Sequence, residues 1–210
     1  MNRNHSTLIL LLLFAVLINA CGDREYISDE DFAFHSFNMK RVPLFKERDN
    51  KDIIQIRIGI ADTGDQYRLE AVEILIEEDG RTDFLEVVNV KHLANIDGEL
   101  TEYAFGSSNT VGETKIAVTG MAELAPGTHS FTVSFGVKED AMLDQSFRLK
   151  TVELVFDGNR SLVFKPENDF FYRPTMVLRQ AGQDGCDTYR IPGLVTTNQG
   201  TLIAVYDNRY

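Results

Sequence analysis

The sequence has no tryptophan, only two cysteines and only four histidines among its 210 residues. With Cys21 and Cys186 alone, a disulfide framework and a cysteine-based zinc site are both excluded. The histidines stand at positions 5, 35, 92 and 129, which is not a metal-ligand spacing. We therefore predict no metal site and no cofactor.

Basic residues are also scarce, because 21 Lys and Arg stand against 32 Asp and Glu, for a net charge of −11. Binding to the backbone of a nucleic acid needs clustered Lys and Arg that displace counterions. The acidic balance therefore argues against nucleic acid as a partner. The hydrophobic content of 43% is that of a folded protein and not of a disordered chain.

The apolar run from Leu8 to Ile18 has about eleven residues, too few to span a bilayer of ~30 Å as a helix. With Arg3 ahead of it, the run is typical of a signal peptide over residues 1–20. It ends at Ala20-Cys21, a small residue before a cysteine, which resembles the lipobox of bacterial lipoproteins. We predict a lipidated Cys21 that attaches the protein to a membrane at the cell envelope, as an outer-membrane or cell-surface lipoprotein. A buried thiol in an ordinary N-terminal helix is the alternative.

The next segment, residues 22–31, contains five acids and one arginine and predicts an acidic, solvated tether. From Asp52 onward the pattern changes, because Ile54, Ile56, Ile58 and Ile60 alternate with polar or small residues, as in a half-buried strand. Similar runs follow at 71–77, 84–90, 114–119, 131–137, 151–156 and 161–164, and turn-rich clusters such as 157–159 separate them. We predict an all-β fold in which residues 32–172 form an antiparallel β-sandwich.

Nothing in the predicted sandwich indicates chemistry. His92 and His129 are each interpreted as isolated, and His129, at the start of a strand, as a satisfied or exposed histidine and not a catalytic one. The aromatic residues 170–172 are interpreted as a hydrophobic seal between the sandwich and the segment after it, with a sugar-stacking platform as the alternative. The informative segment therefore lies further along the chain.

Two apolar runs, within 185–195 and 201–210, flank a polar turn that ends in Gly200. A hairpin turn centred on residues 198–199 places Arg190 opposite Asp207 and puts Arg190 and Arg209 on one face as diagonal neighbours, ~7–8 Å apart. Like charges this close repel each other unless an anion is present. Two interpretations stay open: a surface ion pair between Arg190 and Asp207, or a receptor for a carboxylate, which Arg binds through two parallel hydrogen bonds.

The stretch Tyr189-Arg190-Ile191-Pro192, followed by GTLIAVYDNR at 200–209, resembles the start of the catalytic domain of bacterial exo-α-sialidases (neuraminidases). The upstream sandwich resembles the N-terminal module of sialidases from gut bacteria. The resemblance implies that residues 173–210 are the first strands of a six-bladed β-propeller that is incomplete here. It also implies that Arg190 and Arg209 hold the carboxylate of sialic acid.

In the resembling family, an aspartate acid/base, a tyrosine nucleophile with its glutamate partner and a third arginine come later in the chain, and no residue here matches them. No Asp-box turn is present either, in keeping with the absence of Trp. The resemblance implies the N-terminal part of an enzyme that releases terminal sialic acids from sialylated glycans, with no catalytic residue within these 210 positions and no activity of this chain alone. The alternative is a non-catalytic carbohydrate-binding or structural surface lipoprotein.

Overall fold

The structure, a computed structural model, describes residues 24–27, 32–46, 48–62, 66–109, 112–167 and 169–210. The predicted signal peptide 1–20 and the predicted lipidation site Cys21 lie outside these residues. Within the described ranges, no helix has the length and hydropathy needed to cross a bilayer.

The described residues form fourteen strands and no α-helix, which confirms the predicted all-β class. The strands are β1 Glu25–Tyr26, β2 Phe34–Met39, β3 Leu44–Phe45, β4 Asn50–Ile60, β5 Tyr67–Ile76, β6 Leu85–Ile96, β7 Glu99–Ser108, β8 Lys115–Leu124, β9 Gly127–Val137, β10 Leu149–Phe156, β11 Arg160–Phe164, β12 Pro174–Thr175, β13 Thr188–Thr196 and β14 Leu202–Arg209. Short 3-10 turns lie at Asp157–Asn159 and Gln183–Gly185.

Two five-stranded sheets enclose the hydrophobic core. Sheet A has the strand order β1-β11-β10-β5-β8, and sheet B has the order β2-β4-β9-β6-β7. The alternation predicted in β4 is present, since Ile54, Ile56 and Ile58 are fully buried while the residues between them are exposed. Every pair in the two sheets is antiparallel except β1 with β11, which is a two-residue parallel pair at an edge.

Residues 24–27 differ from the solvated tether predicted over 22–31, because they belong to sheet A. The Arg24 guanidinium donates to both carboxylate oxygens of Glu73, at 2.6 and 2.8 Å, and lies 3.2 Å from Glu153. Glu73 and Glu153 are direct cross-strand partners, an arrangement in which like charges repel. Arg24, together with Lys115 at 2.8 Å from Glu73, offsets that repulsion. The one basic residue of the acidic segment therefore fixes it to the sandwich.

The two sheets come together along one side, where the edge strands β7 and β8 approach closely. A Cβ atom on Gly106 would collide with the Thr119 carbonyl oxygen, and one on Gly120 would collide with the Phe105 carbonyl oxygen. Only glycine allows backbones this near to each other. Immediately beside this contact, a cleft of about 300 Å³ lies between residues 103–105 of β7 and residues 121–123 of β8.

Part of the aromatic segment 170–172 packs into the core of the sandwich, and a seal toward the segment after it stays a prediction. Tyr172 is fully buried, its ring stacks on Phe147 at 5.3 Å, and its hydroxyl donates to the Lys40 carbonyl oxygen at 3.0 Å. Phe171 is instead exposed and contacts the guanidinium groups of Arg148 and Arg173. Beyond it, β12 pairs in parallel with β3 and leads the chain toward the β13–β14 hairpin.

Candidate functional site

The β13–β14 hairpin has the predicted register at its open end. Thr188 pairs with Arg209, Tyr189 with Asn208, and Arg190 with Asp207. Between Arg190 and Gly193 a bulge shifts the pairing by one residue toward the turn. Pro192 lies in this bulge, where its missing N–H removes no regular ladder hydrogen bond. The bulge thus lies on the turn side of the arginine pair and leaves the pair's register intact.

The two arginines share one face of the hairpin, and both are exposed. Arg209 Nε donates to Asp207 Oδ2 at 3.0 Å, and both side chains remain about half exposed. Among the described residues, the Arg190 side chain has no ion-pair or hydrogen-bond partner. The ion pair between Arg190 and Asp207 that was the alternative interpretation is therefore not formed, because Asp207 binds its neighbour on the same strand.

This arrangement leaves one positive charge uncompensated at the open end of the hairpin. Asp207 is the cross-strand partner of Arg190 but binds the guanidinium of Arg209, so it neutralises one of the two charges. An incoming carboxylate would meet a free fork of N–H donors on Arg190 and would compete with Asp207 for Arg209. The geometry is suited to a single anionic group, and the assignment of Arg190 and Arg209 to a sialic acid carboxylate stays a prediction.

The opposite face of the hairpin is attached to the loop that precedes it. The Tyr189 hydroxyl donates to the Gln183 carbonyl oxygen at 2.8 Å and lies 3.1 Å from Asp184 Oδ2. Its ring meets Tyr206 edge-on, with the centroids 5.1 Å apart. Desolvation raises the pKa of Tyr189, and hydrogen bonding with Cys186 and Asp184 raises it further. These contacts set the position of β13 at the residue directly before Arg190.

The part of the hairpin nearer its turn is apolar and exposed. Its exposed large side chains are Leu194, Val195, Leu202, Ile203 and Val205. None of them belongs to the core cluster of the sandwich. The hairpin therefore projects from the described part of the chain as an uncovered ribbon that bears the arginine pair.

The interpretation of His92 and His129 as isolated residues is wrong. His92 Nε2 lies 2.9 Å from His129 Nδ1, and His129 Nε2 lies 2.8 Å from the Ala125 carbonyl oxygen. Both histidines are buried, and burial lowers both pKa values, that of His92 to about 4 with a further contribution from the charge of His129. The pairing of β6 with β9 makes the two histidines diagonal neighbours. Knowing that register would have revealed the pair, but the sequence alone does not show it.

Metal-ligating side chains do not gather in the described ranges, where no group of three or more His, Cys, Asp or Glu residues comes together. Cys186 is a free, buried thiol in the loop before β13, and its Sγ lies 3.9 Å from the Asp184 carbonyl oxygen. The chemistry available in this part of the chain is therefore that of the two arginines and of the histidine pair.

Comparisons with known proteins connect the chain to one group of enzymes, although no protein-family model matches it. A curated protein of Bacteroides fragilis (strain YCH46), described as a sialidase, is 26% identical over 200 residues, which cover 81% of this chain and 36% of the relative. Among solved structures, the Hadza microbial sialidase Hz136 aligns with a TM-score of 0.58 and 22% identity, over 82% of this chain and 37% of that chain. This chain thus spans little more than a third of the length of either protein.

Proposed function

Because this chain is related to sialidases, we propose that it is the N-terminal part of an exo-α-sialidase, a glycosidase that hydrolyses terminal sialic acids from glycoconjugates. The observation that carries the proposal is the hairpin geometry, in which Arg190 and Arg209 share one face and only Arg209 is engaged by an internal carboxylate. A sialic acid is anionic whereas most sugars are neutral. A pair of guanidinium groups would therefore select it among the sugars of a glycan.

The two arginines have different parts in this proposal. Arg190 is free to receive the sialic acid carboxylate through two parallel hydrogen bonds, at no cost from a broken internal pair. Arg209 has first to exchange Asp207 for the ligand, an exchange between two exposed ion pairs that costs little. A hydrogen bond to a charged group contributes about 1.5–3 kcal/mol, which corresponds to a change of about 10- to 150-fold in affinity.

The test uses the complete open reading frame of the gene, assayed for release of a fluorogenic aglycone from a sialoside. Arg190→Ala and Arg209→Ala should each lower kcat/KM by about 10- to 150-fold. Arg81→Ala is the matched control, because Arg81 forms the same kind of exposed ion pair with Asp83, two residues away, on the sandwich. Full activity in both site variants would refute the proposed role of the hairpin.

We expect the 210-residue chain alone to release no product from the same sialoside, because none of its residues matches the family's acid, nucleophile or third arginine. Measurable release would contradict this part of the proposal. A reading frame that closes at codon 210, together with no turnover, would favour the non-catalytic carbohydrate-binding or structural lipoprotein instead.

We propose in addition that Cys21 carries lipid and holds the protein at the cell envelope, on the strength of the lipobox-like sequence. Arg24, which is bound to Glu73 and Glu153, lies three residues after Cys21. Three residues span at most about 10 Å, so the anchor would hold the sandwich close to the membrane. Cys21→Ala should move the protein from the membrane fraction to the soluble fraction, and Cys186→Ala should not. Equal membrane retention of both variants would refute lipidation at Cys21.

A further inference from the structure

The cleft between β7 and β8 has a polar floor and mostly apolar walls. Its floor includes the buried imidazoles of His92 and His129, and its walls include Tyr103, Phe105 and Met121. Glu123 is the one side chain with a full charge among the described residues that line it. No lysine or arginine is among those residues, in contrast to the arginine pair of the hairpin.

The hydrogen-bond partners assign the tautomers of both histidines. The Ala125 carbonyl oxygen accepts only, so His129 Nε2 carries a proton and donates to it. In neutral His129 the Nδ1 atom is then the acceptor, and His92 Nε2 donates to it at 2.9 Å. The remaining nitrogen, His92 Nδ1, is left with a lone pair, and within the described part of the chain it has no hydrogen-bond partner.

The orientation of His92 is fixed by the rings on either side. Its imidazole stacks on Phe131 with a centroid distance of 4.6 Å and an interplanar angle of 10°, and on Tyr103 at 5.9 Å and 30°. Phe131 and Tyr103 are its cross-strand partners on β9 and β7. His92 is only 4% exposed, whereas Tyr103 and Met121 are 52% and 74% exposed. A rigid acceptor at the floor of the cleft is thus combined with apolar surface at its mouth.

We propose that this cleft binds the neutral pyranose ring of a glycan, with one ring hydroxyl donating to His92 Nδ1 and the apolar face of the ring against Tyr103. A sugar hydroxyl supplies the donor that the unpartnered nitrogen lacks, and a second hydroxyl can donate to the Glu123 carboxylate at the rim. A carboxylate ligand is disfavoured, because the described lining carries Glu123 and no lysine or arginine, and the cross-strand partner of Glu123, Arg68, is bound to Glu70. The volume of about 300 Å³ suits a single ring.

The choice of a sugar among small hydroxyl compounds rests on the proposed sialidase function, which makes glycans the molecules that this module meets. The cleft itself is independent of that function. It lies between β7 and β8 in the sandwich, and it shares no residue with the hairpin that carries Arg190 and Arg209. The two sites would therefore bind different kinds of sugar, an acidic sugar at the hairpin and a neutral sugar at the cleft.

The test uses the chain with ¹⁵N-labelled histidine and follows the ¹⁵N signal of His92 Nδ1 at pH 7. Galactose, N-acetylgalactosamine, glucose or N-acetylneuraminic acid is added up to high millimolar concentration. We expect a saturable shift of this signal with at least one of the three neutral sugars and none with N-acetylneuraminic acid. Tyr103→Ala should weaken binding by about tenfold. Leu100→Ala should leave it unchanged, because Leu100 is a similarly exposed apolar residue of β7 that does not line the cleft.

No saturable shift with any neutral sugar, or a shift with N-acetylneuraminic acid alone, would overturn the proposal. Equal binding by wild type and Tyr103→Ala would also overturn it. Arg190→Ala in the protein from the complete open reading frame serves as a further control, since it should leave the His92 shift unchanged while it lowers sialidase activity. In that full-length protein, a His92 shift without sialidase activity would support the cleft and refute the proposed function, whereas activity without a His92 shift would do the reverse.

Discussion

Acidification should destabilise the sandwich through its buried histidine pair. His92 and His129 are neutral in the folded protein, and burial lowers the pKa of each. When the chain unfolds, the imidazoles regain an ordinary pKa near 6.5 and take up protons that the folded state does not bind. The contribution of the pair is therefore fully present above pH 6.5, and it is lost as the pH falls from 6.5 toward the lowered values.

The magnitude follows from His92, whose pKa falls to about 4 in the folded protein. The linkage relation then gives a loss of about 2 kcal/mol in unfolding free energy between pH 7 and pH 5 from this residue alone. His129 acts in the same direction. Carboxylates with lowered pKa values, such as Glu73 and Asp83, lose their contribution at lower pH, so the range from pH 7 to 5 isolates the histidines.

The assay is urea denaturation followed by circular dichroism at pH 7, 6 and 5. His92→Phe keeps an aromatic ring between Phe131 and Tyr103 and removes the titrating group, so its stability should depend less on pH even though its stability at pH 7 is lower. An unfolding free energy of the wild type that is constant from pH 7 to 5 would refute the reasoning. So would an undiminished loss in His92→Phe.

Three further predictions concern stability, and urea denaturation at pH 7 measures each of them. Arg24→Ala should lower the free energy of unfolding by about 1–3 kcal/mol, because it leaves the carboxylates of Glu73 and its cross-strand partner facing each other. Arg24→Lys should recover part of that loss, and an unchanged free energy of unfolding in Arg24→Ala would contradict the prediction. Gly120→Ala should cost about 2 kcal/mol or more, since its Cβ would collide with the Phe105 carbonyl oxygen, and wild-type stability would disprove the contact. Ser161→Ala should leave stability unchanged or raise it by up to about 1 kcal/mol, because the buried Ser161 hydroxyl has no hydrogen-bond partner among the described residues; a clear loss would show that it has one.

The local sequence pattern was sufficient to predict the strands that have one buried apolar face and one more exposed polar face. The alternation in β4 predicted its buried isoleucines, and the run at 131–137 predicted the inner part of β9. The turn at 157–159 could be predicted from residue type, because Gly and Asn tolerate the positive φ values that Gly158 and Asn159 adopt in the structure. By contrast, β7 was not among the predicted strands, since it is an edge strand of mostly exposed residues with little alternation.

The sequence could not predict contacts that depend on the register between strands far apart in the chain. The histidine pair exists because β6 and β9 align His92 with Phe131 and Ala94 with His129, residues 35 or more positions apart. In the hairpin, the two strands are joined by a short turn, so their pairing could be predicted and the arginines placed on one face. The preference of Asp207 for Arg209 over Arg190 depends on side-chain conformations, which spacing does not determine.

The ion pairs of Arg24 bear on how the sandwich would resist mechanical load. A pulling force on the N-terminus acts on Arg24 before it acts on the hydrogen bonds of β1. Without Arg24, those hydrogen bonds would break one at a time. Its guanidinium passes the tension to β5 and β10, which lie inside sheet A and are paired on both sides. A sandwich tethered by its N-terminus in flowing liquid would thus be held through the middle of the sheet instead of through its weakest margin.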